Sequence, residues 1–171
     1  MQLKLKKPIV FLDLETTGVN VGADRIVEIA LLKIYPNGNK DSKTMRINPT
    51  IPIPEEASKV HGIYDKDIQD CPTFNDVARD INAFLGGSDL GGYNSNKFDI
   101  PLLIEEFTRA GIHFDLNERK LVDVQNIFHK MEQRTLAAAY KFYCNKDLMN
   151  AHSAEADTTA TYEVLLSQLE K

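Results

Sequence analysis

The sequence lacks a long hydrophobic run. No apolar stretch approaches the ~20 residues that a membrane-spanning helix needs, and the apolar segment 9–14 is short and contains Asp13. A secretory signal requires a longer apolar core and a cleavage site of small residues. The sequence therefore predicts a protein that does not enter a membrane and that is located in the cytoplasm.

Cysteine is also scarce. Cys71 and Cys144 are far apart and outside any CxxC or Cys/His pattern, which disfavours a disulfide scaffold or a zinc site of the usual spacing. Internal repeats, low-complexity tracts and Gly/Ser linkers are missing too. For 171 residues, of which 43% are hydrophobic and 26% charged, these absences predict one globular domain over residues 1–171.

An excess of positive charge is missing as well, since the formal net charge is −5. A long binding track for duplex DNA would need a basic face, and this composition argues against one. The charge still allows a protein that holds only a few nucleotides, and metal ions could neutralise part of the acidic excess.

The hydrophobic pattern predicts three strands followed by helices that alternate with short strands. The turn Pro36-Asn37-Gly38-Asn39 joins the second and third strands as a hairpin, so we expect an antiparallel start. This order is typical of an α/β domain with helices packed on a mixed sheet. We expect strands at 9–14, 26–35, 42–47, 89–93 and 121–123, and helices at 55–60, 73–85, 100–110, 124–131, 135–144 and 153–171.

Two acids end the first predicted strand. Strand side chains alternate between faces, so Asp13 and Glu15 share one face while Leu12 and Leu14 share the other. Two carboxylates this close raise each other's pKa, and a hard cation such as Mg²⁺ would remove the conflict. The alternative is that the strand simply ends here and both acids are solvated.

Two further acids have plausible structural explanations of their own. Asp99 precedes Ile100-Pro101 at the start of a helix and could be a plain cap. Asp157 lies with Thr161, Leu165 and Leu169 on a predicted buried stripe of the last helix, where an unpaired carboxylate is costly. The alternative is an exposed acid favoured by the helix dipole.

His152 stands five residues before Asp157. A lone histidine at a helix start is usually an ordinary surface residue. Histidine is also the side chain that titrates near neutral pH, and a hydrolytic site needs a base in that range.

Together these residues resemble the three motifs of a known family, the DEDDh or DnaQ-like 3′–5′ exonucleases. The segment 13–18, Asp-Leu-Glu-Thr-Thr-Gly, is similar to D-x-E-T-T-G. Phe98-Asp99 is similar to the second motif, and His152 with Asp157 to the third, H-x₄-D. The segment 60–63, Val-His-Gly-Ile, resembles a short family segment between the first two motifs.

The resemblance implies a fold, a reaction and a set of site residues. The fold would be ribonuclease H-like, a mixed sheet whose first three strands are antiparallel and whose helices cover both faces. The reaction would be metal-dependent removal of nucleoside monophosphates from the 3′ ends of nucleic acid, with two Mg²⁺ or Mn²⁺ ions. By resemblance, Asp13, Glu15, Asp99 and Asp157 would hold the metals, His152 would be the general base, and Thr16, Thr17, Gly18, His61, Asn94 and Phe98 would bind substrate.

The sequence leaves more than one substrate and more than one partner possible. Single-stranded DNA is expected rather than RNA, because the Thr16-Thr17 pair resembles the proofreading type more than the oligoribonuclease type. RNA stays an alternative substrate, because ribonuclease T and oligoribonuclease are family members of similar size. The spacing between Asn94 and Asp99 differs from that of many proofreading members, and the sequence stops soon after the third motif. We therefore expect that the polymerase-binding segment of the replicative subunit is absent, which argues against a role in the replicative polymerase. A polymerase or a second copy of the chain are the candidate partners.

Two rival interpretations have less support. Phosphohydrolases of the haloacid-dehalogenase type have D-x-D where this sequence has Asp13-Leu14-Glu15. This interpretation would also leave His152 without a role. A non-catalytic nucleic-acid-binding module would have lost metal ligands, but all five expected catalytic positions are filled.

Overall fold

The chain is described by a computed structural model that covers residues 3–149, 151 and 153–170. It divides into two compact units, Met1–Gln125 and Asn126–Lys171, and each unit is described by itself. The expectation of one domain over residues 1–171 stays a prediction.

All of the predicted strands and helices are present, with boundaries within two residues of those expected. One helix, α2, was not predicted, because a single turn of four residues is too short for a periodic pattern. The strands are β1 (Ile9–Thr16), β2 (Ile26–Ile34), β3 (Lys40–Arg46), β4 (Asp89–Gly92) and β5 (Leu121–Asp123), and the helices are α1 (Glu55–His61), α2 (Asp65–Ile68), α3 (Phe74–Leu85), α4 (Asp99–Arg109), α5 (Val124–Met131), α6 (Leu136–Cys144) and α7 (Ala154–Leu169).

The strands form one mixed sheet in the order β3-β2-β1-β4-β5. β2 pairs antiparallel with β1 and β3, whereas β4 pairs parallel with β1 and β5. The predicted mixed sheet with an antiparallel start is thereby confirmed. The pairing of β1 with β4 covers only Ile9–Phe11. The second half of β1 therefore has an edge that does not pair with β4.

The two faces of β1 differ sharply in burial, as strand alternation requires. Val10, Leu12 and Leu14 are buried in the main core, which also includes side chains of α3 and α4. Asp13 is exposed and Glu15 is half-buried on the opposite face. The predicted division of β1 into an apolar face and an acidic face is therefore confirmed.

The second unit contains α6 and α7, which pack through Tyr140, Ala160 and Val164. The predicted buried stripe on α7 is wrong beyond Asp157, because Thr161, Leu165 and Leu169 are all exposed, the last two at 52% and 75%. The buried stripe instead follows Ala160 and Val164. Among the described helices, none is long and apolar enough to cross a bilayer.

Candidate active site

β1 presents two of the predicted metal ligands at its C-terminal end. Asp13 lies opposite Ala30 of β2, and Glu15 lies opposite Glu28, so three acids are close together on one sheet face. Partial burial raises the pKa of Glu15, the charges of Asp13 and Glu28 raise it further, and His61 opposes the rise. These carboxylates repel one another in the absence of a cation.

The third predicted ligand, Asp99, reaches this region from the first turn of α4. Its Oδ1 accepts a hydrogen bond of 3.1 Å from the backbone N–H of Leu14, on the part of β1 that does not pair with β4. The N-cap of α4 is Phe98, so Asp99 is the first residue of the helix itself. Its hydrogen bond with Leu14 joins α4 to β1. Burial, followed by the charge of Asp13, raises the pKa of Asp99 to about 6.

The Thr16-Thr17-Gly18 turn is held by internal hydrogen bonds. Thr16 Oγ1 donates to the carbonyl of Gly18 at 2.6 Å. Thr17 is 2% exposed. Its Oγ1 donates to Asp24 Oδ1 at 2.8 Å and accepts from the backbone N–H of Arg25 at 3.0 Å. Thr17 was predicted to bind substrate, and in this structure its hydroxyl shapes the turn.

His61 ends α1 with its ring in a defined orientation. The backbone N–H of Ile63 donates to His61 Nδ1 at 3.1 Å, so the proton of the neutral ring is on Nε2. Nε2 is buried and has no hydrogen-bond partner within the described part of the chain. His61 is among the groups that act electrostatically on Glu15, so its ring lies near the acids of β1.

The loop between β4 and α4 carries the two other predicted substrate residues. Asn94 adopts a left-handed backbone, with φ of 61°, and Phe98 is partly buried against the main core. Asp123, at the end of β5, is 4% exposed and accepts backbone N–H groups from Asn94 at 2.9 Å, Asn96 at 3.1 Å and Gln125 at 3.0 Å. One buried carboxylate thus sets the shape of the loop that leads to Asp99.

Asp123→Ala is expected to lower the free energy of unfolding by about 2–3 kcal/mol, because partly buried N–H groups lose a charged acceptor. Urea denaturation followed by circular dichroism measures the change. Asp115→Ala is the matched control, since the exposed Asp115 carboxylate accepts the backbone N–H of Asn117, its contact with Arg119 uses the backbone carbonyl, and the substitution should change stability by about 0.5 kcal/mol or less. Equal effects of the two substitutions would contradict this role of Asp123.

The fourth predicted metal ligand, Asp157, lies in the first turn of α7. Asp157 is half-buried, and its Oδ1 is buried without a hydrogen-bond partner among the residues placed by the structure. A buried carboxylate oxygen without a partner is costly and is expected at a site that binds a cation. His152 lies outside the described residues, so its assignment stays a prediction.

The side chains have the right chemistry for a hard divalent cation. Within residues 3–149, 151 and 153–170, no three His, Cys, Asp or Glu side chains form a complete metal cluster by themselves. The candidate donors are nevertheless all carboxylate oxygens, which Mg²⁺ and Mn²⁺ prefer. The raised pKa values of Glu15 and Asp99 are features that a cation bound at the acidic end of β1 would relieve.

Sequence reasoning missed three acids that the structure places around the site: Glu28, Asp123 and Glu106. Glu28 could have been found from the hairpin register, which sets it opposite Glu15. Asp123 is the last residue of a predicted strand, and Asp13 and Glu15 likewise lie at the end of theirs. Glu106 is seven residues after Asp99 and therefore on the same side of α4, and it is only 1% exposed.

The mixed five-stranded sheet with its antiparallel start and its helices defines the class of protein, an α/β domain of the ribonuclease H-like fold. Its fold is shared by E. coli exonuclease I crystallised with a dT13 oligonucleotide, at a TM-score of 0.67 and 17% identity. That match covers 97% of this chain and 41% of exonuclease I.

A family model described as an exonuclease, the RNase T family, matches residues 10–165. The chain therefore belongs to the DnaQ-like 3′–5′ exonucleases of the ribonuclease H-like superfamily, as the resemblance of its motifs predicted.

Similar proteins include parts of bacterial DNA polymerases. The chain is 33% identical to a DNA polymerase III subunit epsilon of Buchnera aphidicola subsp. Schizaphis graminum over 81% of its own length and 58% of the relative. It is 27% identical to a PolC-type DNA polymerase III of Caldanaerobacter subterraneus subsp. tengcongensis, over 99% of this chain and 12% of the polymerase. The chain thus spans between about an eighth and three fifths of these two relatives.

Proposed function

We propose that the chain is a metal-dependent 3′–5′ exonuclease that removes nucleoside monophosphates from the 3′ ends of single-stranded DNA. The observation that carries this proposal is the meeting of Asp99 with the acidic end of β1. Asp99 is bonded to Leu14 N–H at 3.1 Å, and the charge of Asp13 raises its pKa. Leu14 and Asp99 are 85 positions apart in the sequence but lie in contact, although this brings the Asp99 carboxylate close to the like charge of Asp13. Such repulsion between carboxylates is typical of a site that binds a cation.

Asp13, Glu15, Asp99 and Asp157 are the proposed ligands of two Mg²⁺ or Mn²⁺ ions. Such ions, when bound, stabilise charge on the phosphate and on the attacking and departing oxygens. Asp13, exposed on the acidic face of β1, and Asp99, held in place by Leu14 N–H, would be two of these ligands. Asp157 is proposed from its motif position and its unpartnered Oδ1.

The remaining residues are proposed to act on the nucleic acid itself. His152 would accept the proton of the attacking water, since its imidazole titrates near neutral pH. The Thr16–Gly18 turn, His61, Asn94 and Phe98 would seat the terminal nucleotide. His61 would do so by donating from Nε2, because its Nδ1 is occupied by Ile63 N–H.

Single-stranded DNA is the proposed substrate on two grounds. Exonuclease I, which shares this fold, was crystallised in complex with a dT13 oligonucleotide, and the Buchnera relative is a subunit of DNA polymerase III. A net charge of −5 fits a site that holds a few terminal nucleotides and needs no long phosphate track. A polymerase or a second copy of this chain is the proposed partner, and the cytoplasm is the proposed location.

The test is digestion of 5′-labelled single-stranded DNA, duplex DNA and short RNA with Mn²⁺. We expect one-nucleotide ladders that shorten from the 3′ end, with single-stranded DNA digested fastest. EDTA should stop the reaction because it removes the metal ions that the acids are proposed to hold, and excess Mn²⁺ should restore it. Activity that persists in EDTA would refute metal dependence.

The other results of the same digest separate the alternatives. Faster cleavage of short RNA would reassign the substrate to an RNA-trimming or oligoribonucleotide exonuclease of the same family. Binding without cleavage would indicate a non-catalytic module. Release of phosphate from p-nitrophenyl phosphate, with no ladder on any nucleic acid, would favour the haloacid-dehalogenase type.

A further inference from the structure

Glu106 is a buried carboxylate in the middle of α4. It is 1% exposed, and its two oxygens accept from Arg25 Nε at 2.7 Å and Arg25 Nη2 at 3.1 Å. The backbone N–H of Ile26 also donates to Oε1 at 3.2 Å. Well-packed apolar residues often stabilise a core as well as a buried ion pair does. The pair therefore calls for an explanation other than stability.

Arg25 connects this carboxylate to the Thr16–Gly18 turn. While its guanidinium is held by Glu106, its backbone carbonyl accepts from Thr17 N–H at 3.0 Å, and its backbone N–H donates to Thr17 Oγ1 at 3.0 Å. Arg25 Nη1 also donates to Thr50 Oγ1 at 2.9 Å. Glu106 thus fixes the residue to which the N–H and the Oγ1 of Thr17 are both bonded.

The turn has little freedom to adjust around this contact. A Cβ on Gly18 would lie 2.6 Å from Asp24 Oδ2, so the backbone approaches the Asp24 carboxylate as closely as glycine allows. Asp24 Oδ1 accepts from Thr17 Oγ1 at 2.8 Å. Arg109, one turn after Glu106 on α4, donates to the carbonyl of Gly22 at 2.7 Å.

Glu106 and Asp99 act from the same side of the same helix. Seven residues at about 100° each amount to nearly two full turns, so both side chains leave α4 toward β1 and the segment that follows it. Asp99 accepts from Leu14 N–H at 3.1 Å, and Glu106 accepts from Arg25. The helix therefore holds the end of β1 through one carboxylate and the following turn through the other.

We propose that Glu106 is a positioning residue that, through Arg25, sets the Thr16–Gly18 turn at the distance from Asp99 that a nucleic-acid 3′ end requires. This inference rests on the proposed exonuclease function and adds to it a residue outside the three motifs. The same ion pair makes the turn rigid before substrate arrives, which lowers the cost of ordering it on binding.

Glu106→Gln tests the proposal, because glutamine keeps the volume and one acceptor but loses the charge and the second acceptor. The first readout is binding of a 5′-fluorescein dT10 ending in either a 3′-hydroxyl or a 3′-phosphate, measured by anisotropy in EDTA. The second is kcat and KM with Mn²⁺. Because the Thr16–Gly18 turn is proposed to seat the terminal nucleotide, we expect wild-type protein to bind the 3′-hydroxyl end more tightly than the 3′-phosphate end. In the variant this preference and the kcat should each fall by about tenfold, the usual effect of losing one charge-assisted hydrogen bond.

Glu105→Gln is the matched control, since it makes the same chemical change at the neighbouring, half-buried position of α4; it should leave both readouts unchanged. If Glu106→Gln does not fold, Arg25→Lys replaces it, because lysine keeps the charge and the backbone contacts to Thr17 but cannot make the two-pronged contact. It should lower both readouts in the same direction.

The outcomes distinguish this inference from the proposed function. A variant that melts earlier but keeps the wild-type 3′-end preference and kcat would reduce Glu106 to a structural residue and overturn the inference alone. Wild-type protein that digests none of the nucleic acids would overturn the proposed function and the inference with it.

Discussion

Asp13→Asn is expected to abolish nucleotide release and to leave the fold intact. Asp13 is a proposed metal ligand, so its loss should lower kcat by about a thousandfold or more. Its side chain is exposed on the acidic face of β1 and repels Glu15 and Asp99. Removal of the charge should therefore change the free energy of unfolding by about 0.5 kcal/mol or less in EDTA.

Initial rates on 5′-labelled dT10 with Mn²⁺, together with thermal melts in EDTA, measure the two expectations. Asp80→Asn is the control, since it makes the same change at an exposed position of α3 and should keep full activity. An Asp13→Asn protein that retained a tenth of the wild-type rate would remove Asp13 from the site. A large drop in melting temperature would instead show that the loss of activity follows from unfolding.

The parts of this site that lie within one element could be predicted from the sequence. Alternation along β1 set Asp13 and Glu15 apart from Leu12 and Leu14, and the burial of these four residues follows that division. Local periodicity also located α3 and α4, because their apolar positions recur at helical spacing. Such signals depend only on neighbours in sequence, which is why they survive without knowledge of the fold.

The contacts that assemble the site could not be predicted in this way. Asp99 has the sequence context of a helix cap, and its bond to Leu14 N–H exists because β1 pairs with β4 over Ile9–Phe11 only. Glu106 and Arg25 are 81 residues apart, and nothing in the sequence near either one indicates a partner. Buried charges find each other through the fold, so sequence patterns do not distinguish them from ordinary surface residues.

Asp157 shows a smaller error of the same kind. A step of four residues placed it on a stripe with Leu165 and Leu169, which are exposed. The buried positions of α7, Ala160 and Val164, continue from Asp157 by steps of three and four. The side of the helix that is buried depends on its packing against α6, and the sequence of a helix with apolar residues on several sides does not fix it.

Asp99→Asn is expected to stabilise the metal-free protein at neutral pH while it abolishes activity. Burial and the charge of Asp13 raise the pKa of Asp99 from 3.8 to about 6 in the folded state. Between pH ~4 and ~6 the folded protein therefore holds a proton that the unfolded chain has lost, so stability falls as pH rises through this window. Above it, wild-type protein carries the full cost of a buried, repelled carboxylate.

Asparagine removes that cost and keeps an acceptor for Leu14 N–H. At pH 7.5 in EDTA the variant should be more stable than wild type by about 1–3 kcal/mol, and the two proteins should converge below pH ~4. Excess Mn²⁺ should reduce the difference, because a bound cation stabilises only the wild-type site. Urea denaturation across this pH range, with and without Mn²⁺, measures both effects.

Asp76→Asn supplies a control of opposite sign. Hydrogen bonds from the side chain and then the backbone of Thr73 lower the pKa of Asp76, so its charged form favours folding and its removal should reduce stability at pH 7.5. If Asp99→Asn were also destabilising in EDTA, Asp99 would be a structural residue that joins α4 to β1 through Leu14 N–H, and the repulsion assigned to the acids would be absent. Stabilisation together with lost activity is the combination that a purely structural residue does not produce.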